Sequence, residues 1–452
     1  MQVIEPATGR MLRDVPTSSP AEAGARLERA AEAARAWAAR PAAERAEIVG
    51  RAGALLRERR EPLARLATEE MGKLLSAARA EVDKCAATCE WMAAHAPALL
   101  EPERVATEAR ATRVRFDPLG VVLAIMPWNF PFWQAVRAAA PALAAGNALA
   151  LKHASNVPGC ALALESLFRD AGAPQGVFTT LLVPSSAVAH LIVHPAVQAV
   201  TLTGSEAAGV DVAARAGGAL KKTVLELGGS DPFLVLADAD PAWAAEQAVK
   251  ARLINSGQSC IAAKRFIVEA PVAAAFEAAM VERMRRVRVG DPTDDATELG
   301  PLAREDLLRD LHDQVERTVR AGATLGCGGA RLPREGFWYA PTVLTAVAPG
   351  MAAFDEETFG PVAAVTRARD RDELVALANR SRYGLGASVW TSDPAAGQAL
   401  APRIEAGSVF VNEIVKSDPR LPFGGVKRSG YGRELSVFGL REFVNVKTVW
   451  VA

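Results

Sequence analysis

The chain has 452 residues, of which 23% are charged, and its 52 Lys and Arg residues balance 52 Asp and Glu residues. A chain of this length exceeds one ordinary hydrophobic core, so we expect two or three domains. The zero net charge argues against a nucleic-acid or membrane-surface partner.

Targeting segments and metal sites are not indicated by the sequence. No basic region followed by an apolar stretch opens the chain, and no segment offers about 18 uninterrupted apolar residues, so neither a signal peptide nor a membrane span is expected. The five scattered cysteines predict free thiols in the cytoplasm. The i,i+4 pairs Cys85/Cys89 and His190/His194 are more simply helix residues than metal ligands, so no metal is predicted.

The first part of the chain predicts a helical layer over a sheet. Alanine, leucine and charged residues recur there at helical spacing. The predicted helices, with Pro41 and Pro62 as breaks, are 21–39, 43–59 and 75–98. Residues 105–118 instead alternate in polarity, which indicates an exposed hairpin.

From residue 120 the pattern alternates between strands and helices. The predicted strands are 121–125, 148–152, 177–183 and 197–202, and the predicted helices are 132–144, 160–171 and about 187–194. This order indicates a parallel sheet, the usual platform for a dinucleotide. A second α/β segment follows residue 228, with strands at 232–236, 266–268 and 363–366 and helices at 242–254, 272–287 and 305–321.

A candidate pyrophosphate site follows the strand 197–202. The chain has no Gly-x-Gly-x-x-Gly motif, but Thr203, Gly204 and Ser205 follow that strand and open a helix. The free backbone N–H groups of a helix N-terminus can hold a pyrophosphate. The turn alone is weak evidence for such a site.

Cys260 lies in the turn Gly-Gln-Ser-Cys among small residues. A structural cysteine would more often interrupt an apolar run, so Cys260 is a candidate nucleophile. Gly257 is expected to let the backbone approach a ligand closely. By itself, a cysteine in such a turn is weak evidence of catalysis.

Four further motifs accompany this turn. They are Pro127-Trp-Asn-Phe-Pro131, Glu226-Leu-Gly-Gly-Ser-Asp-Pro232, Glu356-Glu-Thr-Phe-Gly-Pro361 and Pro422-Phe-Gly-Gly-Val-Lys427. In order and spacing, the five motifs resemble the NAD(P)-dependent aldehyde dehydrogenase superfamily over residues 6–451. Residues 152–156, 260–266 and 416–425 resemble its succinate-semialdehyde dehydrogenase-like branch.

The resemblance implies an α/β fold with a parallel-sheet dinucleotide-binding domain, an α/β catalytic domain and a small β oligomerisation arm. It assigns 1–104 and 119–228 to the first, 229–435 to the second, and 105–118 with 436–452 to the arm. In the family, the hairpin of this arm pairs with the C-terminal tail of a partner subunit. A homodimer or homotetramer is therefore expected.

The resemblance also implies that an aldehyde is oxidised with NAD or NADP and water to a carboxylate. Cys260 would add to the aldehyde, Asn129 with the backbone N–H of Cys260 would hold the oxyanion, and Glu226 would activate water. The simpler alternatives are that Asn129 is a turn residue between prolines and that Glu226 forms a surface ion pair.

The cofactor residues are likewise implied by the resemblance. Lys152 would bond the adenosine ribose and Glu357 the nicotinamide-side ribose. The simpler alternatives are that Lys152 is a snorkelling lysine at a strand end and that Glu357 is only part of an acidic run. Ser155 stands where many NAD-preferring relatives have a glutamate, so NADP is expected to be accepted. The candidate set is Trp128, Lys152, Ser155, Gly204, Ser205, Gly228, Glu357 and Phe359.

Arg137 and Ser417 match the family residues that bind the distal carboxylate of succinate semialdehyde. A guanidinium can hold a carboxylate with two parallel hydrogen bonds. Against this assignment, Ile254 stands where some of those enzymes carry a second arginine. The alternative for Arg137 is a surface helix residue in an ion pair.

Three other functions stay open at this point. They are a broad-specificity aliphatic or aromatic aldehyde dehydrogenase, a CoA-acylating enzyme, and a catalytically silent binding protein on the same scaffold. Glu226 favours water over CoA as the acyl acceptor. The set Cys260, Glu226 and Asn129 argues against a silent protein.

Overall fold

The computed structural model describes residues 1–452. Its first elements are β1 (Gln2–Ile4), β2 (Met11–Asp14), α1 (Pro20–Ala38), α2 (Ala42–Glu58), α3 (Arg60–Met71) and α4 (Leu75–Leu99). The three predicted helices correspond to α1, α2 and α4, whereas α3 was not predicted. Pro62, a predicted break, lies in the first turn of α3, where its missing N–H costs no helical hydrogen bond.

The next part alternates as the pattern predicts. Its elements are β3 (Glu103–Arg104), β4 (Ala111–Pro118), β5 (Val121–Met126), α5 (Trp133–Ala145), β6 (Ala148–His153), α6 (Pro158–Asp170), β7 (Phe178–Thr180), α7 (Val188–Val193), β8 (Val197–Thr203), α8 (Glu206–Gly218) and β9 (Lys222–Glu226). The short 3₁₀ helix Ser185–Ala187 precedes α7.

The remaining chain contains many short elements that the sequence pattern did not separate. They are β10 (Pro232–Val235), α9 (Pro241–Leu253), β11 (Arg265–Glu269), α10 (Ala270–Arg285), α11 (Glu305–Arg320), β12 (Thr324–Cys327), β13 (Thr342–Thr345), α12 (Ala352–Asp355), β14 (Val362–Ala368), α13 (Arg371–Asn379), β15 (Tyr383–Gly384), β16 (Gly386–Trp390), α14 (Pro394–Leu400), β17 (Ser408–Val411), β18 (Val426–Lys427), β19 (Gly430–Tyr431), α15 (Ser436–Leu440) and β20 (Val444–Val451). Two more 3₁₀ helices are Ile254–Gly257 and Ala401–Arg403.

Two large sheets form the body of the molecule. The first has the order β19-β9-β8-β5-β6-β7, in which only the edge strand β19 is antiparallel to its neighbour. The second has the order β12-β13-β14-β11-β10-β16-β17 and is parallel except at β12. Two mainly parallel sheets with helices confirm the predicted α/β fold class. The domain boundaries given above stay a prediction.

The first sheet changes direction at β5. The chain passes from β5 to β6 and β7 on one side, then returns to place β8 and β9 on the other. Ligands of such sheets bind at this switch point, beyond the carboxyl ends of the central strands. The segments that follow β5 and β8 therefore lie at the position where a dinucleotide is expected.

Helix α5 connects this edge to the core. All 13 of its residues are buried, and most of them are alanine. Small side chains let the helix pack closely against α4, α2 and the sheet, as their many shared core residues indicate. The polar residues of α5 therefore point into the interior of the protein.

The arm pairs differently from the expectation. Strand β20 is antiparallel to β4 of the same chain, from Val444 opposite Pro118 to Val451 opposite Ala111. The expectation that the hairpin pairs with the tail of a partner subunit is therefore wrong for this strand pair. The tail is long enough to fold back on its own hairpin and satisfy the backbone hydrogen bonds there.

None of the helices combines the length and the apolar character that a membrane span requires.

Candidate active site

Two cavities meet at Cys260. One, of about 240 Å³, has Lys84, Arg137 and Ser417 in its wall. The other, of about 380 Å³, lies at the switch point of the first sheet. Cys260 belongs to the wall of both, so it separates two spaces that different molecules can enter.

A larger cleft of about 650 Å³ lies at the opposite edge of the first sheet. Its wall includes Gly120 and Val121 at the start of β5 and Gln198 at the start of β8. Ligands of parallel sheets bind at the carboxyl ends of the strands, not at these amino ends. We therefore place the candidate site at Cys260.

Backbone strain fixes the approach to Cys260. Asn255 and Ser256 have left-handed conformations, and Gly257 follows with φ of +76°. A Cβ at Gly257 would lie 2.2 Å from the carbonyl oxygen of Gly360. The close approach expected at Gly257 is therefore to the chain's own backbone and not to a ligand.

Buried cations hold the cysteine loop in place. Lys264 Nζ donates to the carbonyl oxygens of Ser259, Cys260 and Ala262 at 3.0, 2.9 and 3.1 Å. Arg252 Nη2 donates to the Gly257 carbonyl at 2.6 Å. Sequence reasoning did not select these two residues, although each lies within eight positions of Cys260.

Asn129 contacts the same loop. Its Nδ2 donates to the carbonyl of Gln258 at 3.1 Å, and Asn255 Nδ2 donates to the Asn129 carbonyl at 2.7 Å. A side-chain amide has two N–H donors, so one remains for a ligand oxygen. The buried position of Asn129 argues against a mere turn residue.

Glu226 ends strand β9 and is buried rather than in the surface ion pair of the alternative interpretation. Burial raises the pKa of its carboxyl to about 8, although the charge of Arg137 opposes this shift. A carboxyl with such a pKa is mainly protonated at neutral pH, and its ionised fraction, which grows as the pH rises toward 8, can accept a proton.

The Cys260 thiol is also strongly perturbed. Burial first, and then the charge of Glu226, raise its pKa to about 12, while Arg137 and Lys264 act in the opposite direction. The thiolate is the reactive form of cysteine. In this arrangement the thiol needs a base before it can react, and the carboxyl whose charge affects the thiol pKa most is that of Glu226.

Arg137 matches neither sequence interpretation alone. It is only 2% exposed, so it is not a surface residue, and its Nε lies 2.5 Å from Glu434 Oε2. Its Nη2 donates to Thr203 Oγ1 at 3.3 Å. Arg137 therefore faces the cavity but already has a carboxylate partner.

Six of the eight candidate cofactor residues line the second cavity. They are Trp128, Gly204, Ser205, Gly228, Glu357 and Phe359. The Trp128 and Phe359 rings meet edge to face with centroids 5.8 Å apart. Aromatic walls and a helix N-terminus suit the flat ring and the pyrophosphate of a dinucleotide.

Two details of this cavity fit a dinucleotide. Ser205 caps α8 by accepting from the Ala208 N–H at 3.3 Å, which leaves the first turn open to the cavity. A Cβ on Gly228 would lie 2.3 Å from Glu357 Oε2, so only glycine lets this carboxylate reach its place. Glu357 also accepts from the Gly229 N–H at 3.0 Å.

Lys152 and Ser155 lie outside the wall of this cavity. Lys152 is near the end of β6, beside β5 at the same edge of the sheet, and is buried with Nζ 3.5 Å from Ser185 Oγ. Burial lowers its pKa, and no carboxylate pairs with it. Ser155 is exposed just beyond the strand. A ligand would have to extend from the cavity across β5 to reach them.

Ser417 lies in the first cavity and brings in a residue that the sequence did not reveal. Its hydroxyl accepts a hydrogen bond from Lys84 Nζ at 2.6 Å, although the two residues are 333 positions apart. Lys84 belongs to α4, a helix that the spacing of alanine, leucine and charged residues predicts. No sequence signal distinguished it from its neighbours. Ile254 lies in the same wall.

The comparisons agree with the sequence motifs. An aldehyde dehydrogenase family model matches residues 1–449. The chain is 48% identical to the NAD(P)+ succinate semialdehyde dehydrogenase Sad of Escherichia coli (strain K12), over 99% of this chain and 97% of that one. It is 51% identical to the NADP(+) succinate-semialdehyde dehydrogenase of Mycolicibacterium paratuberculosis, over 99% and 96%. The crystal structure of the Streptococcus pyogenes succinic semialdehyde dehydrogenase with NADP+ is 36% identical, with a TM-score of 0.96 over 100% of this chain and 99% of that one.

Proposed function

The chain belongs to the aldehyde dehydrogenase family, and we propose that it oxidises succinate semialdehyde to succinate with NADP+ as the hydride acceptor. Oxidation of an aldehyde to the acid with NAD or NADP is the activity of this family and of these relatives. The choice of aldehyde is proposed from one observation. The cavity beside Cys260 carries cationic and hydroxyl groups in its wall, at Lys84, Arg137 and Ser417.

The first steps are assigned to Cys260, Glu226 and Asn129. Glu226 accepts the proton of the Cys260 thiol and then releases it to solvent, and the sulfur forms a bond to the aldehyde carbon. The carbonyl oxygen becomes an oxyanion, which accepts hydrogen bonds from Asn129 Nδ2 and the Cys260 backbone N–H. The residues of the second cavity would hold NADP+, which would supply the acceptor for the hydride of this carbon.

Hydrolysis of the thioester completes the proposed reaction. Glu226, whose pKa is raised to about 8 by burial, takes a proton from water as the water oxygen attacks the thioester carbon. The carbon–sulfur bond breaks and the acid leaves. Because Glu226 is a buried carboxyl whose charge acts on the Cys260 thiol, water is the proposed acceptor and not CoA.

The cofactor assignment follows the geometry of the second cavity. Ser205 and the first turn of α8 are proposed for the pyrophosphate and Glu357 for the nicotinamide-side ribose, with Phe359 beside the ring. Lys152 has no acidic partner, and Ser155 carries no charge that repels a 2′-phosphate. These two residues support NADP+ over NAD+.

We also propose a homodimer or homotetramer in the cytoplasm. Strand β20 forms one edge of its sheet and exposes Val446 and Trp450. A long exposed edge strand with apolar side chains is a site for association. All five cysteines are free, as in a reducing compartment. Sedimentation of the intact chain and of a chain ending at residue 443 tests the role of the strand.

The experiment for the function is a panel of aldehydes with NAD+ and NADP+ in the absence of CoA. The expected result is that kcat/KM for formation of reduced nicotinamide is highest with succinate semialdehyde and NADP+. If kcat/KM for butanal and for benzaldehyde equals that for succinate semialdehyde, the broad-specificity enzyme is favoured. A strict requirement for CoA would favour the acylating enzyme, and the absence of any reduction would favour a silent protein.

A further inference from the structure

The charges around the first cavity are not all balanced. Arg137, the cation that the sequence motif selects, pairs with Glu434 at 2.5 Å and both side chains are buried. A carboxylate of a substrate would have to compete with this partner. The guanidinium therefore offers less to an incoming anion than its place in the wall suggests.

Lys84 is a different kind of cation. It extends from α4 into the same cavity, where Nζ donates to Ser417 Oγ and lies 4.3 Å from the centre of the Trp133 ring. No carboxylate forms an ion pair with it. Burial first, and then the charge of Arg137, lower the pKa of Lys84 to about 8. An ammonium group that is largely desolvated and unpaired is costly unless a ligand compensates it.

The acids nearest to Lys84 are bound to other groups. Glu81, one turn earlier on α4, pairs with Lys73 and accepts from the N–H groups of Phe132 and Trp133 at 2.8 and 2.9 Å. Asp418 pairs with Arg420, whose Nη2 lies 2.6 Å from Asp418 Oδ2. Lys84 is therefore not explained as the partner of either acid.

We propose that the ammonium group of Lys84, with the hydroxyl of Ser417, is the anchor for the distal carboxylate of an acid aldehyde. Lys84 and Cys260 lie in the wall of one cavity of about 240 Å³, so a short acid aldehyde can reach both groups. Arg137 contributes the buried positive charge next to Glu434 and is not the main anchor. The proposal rests on the proposed function, because it requires a substrate with a carboxylate.

The test compares succinate semialdehyde with butanal, which has the same chain length and no carboxylate. In Lys84→Met, kcat/KM for succinate semialdehyde is expected to fall about 10- to 150-fold, the range for a lost charged hydrogen bond. For butanal it is expected to stay within about two-fold. Lys84→Arg keeps the charge and is expected to restore most of the preference.

A matched control lies in the adjacent loop. Lys416 is exposed, next to Ser417, and pairs with Glu413 at 2.7 Å. Lys416→Met removes the same charge outside the cavity and is expected to change neither aldehyde. Ser417→Ala removes a neutral partner and is expected to lower only succinate semialdehyde, by about 2- to 10-fold.

Two outcomes would overturn the inference. A parallel loss for both aldehydes in Lys84→Met means that the lysine only supports the cavity wall. An unchanged preference in Lys84→Met, with the preference lost in Arg137→Lys, places the carboxylate on Arg137. If Lys84→Met does not fold, Lys84→Gln and Lys84→Arg give the same comparison between a neutral and a charged side chain.

Failure of the proposed function has a separate signature. It is a wild-type enzyme that shows no preference for succinate semialdehyde over butanal. The anchor is then tested with succinate as an inhibitor of butanal oxidation. Inhibition that is competitive in the wild type and weaker in Lys84→Met supports the anchor, whereas equal or absent inhibition in both overturns it.

Discussion

The two cavities that meet at Cys260 differ in how their charges are balanced. In the cofactor cavity, Glu357 faces Lys264 at 3.7 Å and is bound to a backbone N–H. In the substrate cavity, Arg137 has its carboxylate but Lys84 has none. The groups around the reacting atoms are thus positioned by the protein itself, whereas the wall of the substrate cavity also has an unpaired cation. Changes near the reacting atoms should affect every aldehyde, and changes at Lys84 only the acid aldehyde.

The largest effect is expected from Cys260→Ala. Without the sulfur no covalent adduct forms, so oxidation of succinate semialdehyde and of butanal should both fall by about 10⁴-fold or more. Binding of NADP+ should stay within a few-fold, because Cys260 is one of many residues in the wall of that cavity and is not among the proposed cofactor contacts. Steady-state rates and a cofactor titration by fluorescence measure the two effects. Near-normal turnover would remove the covalent mechanism.

Glu226→Gln is expected to slow hydrolysis of the thioester by about 10² to 10⁴-fold for both aldehydes. Solvent can take the thiol proton once per turnover without Glu226, so a burst of NADPH near one equivalent per site should precede the slow phase. Stopped-flow absorbance measures the burst. Loss of the burst would mean that Glu226 is needed mainly to deprotonate Cys260. A normal steady state would mean that it has neither role.

Arg137→Ala separates the two cations of the substrate cavity. The change leaves Glu434 and Glu226 without their common positive neighbour, so the pKa of Glu226 should rise further. We expect kcat to fall about 10- to 100-fold for both aldehydes at neutral pH, since removing one partner of a buried pair is costly. A loss confined to succinate semialdehyde would instead make Arg137 the carboxylate anchor.

Ser155→Glu tests the cofactor end. The new carboxylate should repel a 2′-phosphate, so kcat/KM for NADP+ should fall about 10-fold or more relative to NAD+. The ratio between succinate semialdehyde and butanal should not change. Equal losses with both cofactors would show that residue 155 does not face the phosphate.

The smallest expected effect is in the pH dependence of the preference for the acid aldehyde. The Lys84 ammonium, whose pKa is about 8, is charged below that pH and loses its charge above it. The ratio of kcat/KM for succinate semialdehyde to that for butanal should therefore fall about 10-fold between about pH 7 and pH 9. Charged or titratable neighbours of Lys84 are Arg137, Glu81, Cys85 and Asp418.

The ratio is the useful quantity because the nucleophile and the base titrate identically for both aldehydes. In Lys84→Arg the decline should disappear over this range, since a guanidinium stays protonated. A ratio that does not change with pH in the wild type would contradict the role of Lys84.

Much of the fold was predictable from the sequence. Buried strands such as β5 and β6 are short apolar runs between turn residues, and their alternation with helices indicates a parallel sheet. Helix α3 was missed because proline marks a helix start as readily as a break. The pairing of β20 with its own hairpin was missed because alternation predicts a strand but not its partner.

The site was predictable to a different degree at its two ends. Cys260, Asn129 and Glu226 belong to distinctive motifs; Cys260 and Asn129 line one cavity, and the charge of Glu226 acts on the thiol. Lys84 carries no motif, and its partner Ser417 is 333 residues away. Its meaning depends on which neighbouring acids are already paired, which only the packed side chains reveal.

The most direct test of the account is the covalent state of Cys260. In the Glu226→Gln protein solvent takes the thiol proton once, whereas hydrolysis of the thioester is much slower. This protein, mixed with succinate semialdehyde and NADP+ and quenched in acid after the burst, should therefore carry one succinyl group per chain. Peptide mass spectrometry should locate that group on Cys260, and one equivalent of NADPH should accompany it. Formation of NADPH with Cys260 unmodified, or a succinyl group on another residue, would contradict the proposed mechanism.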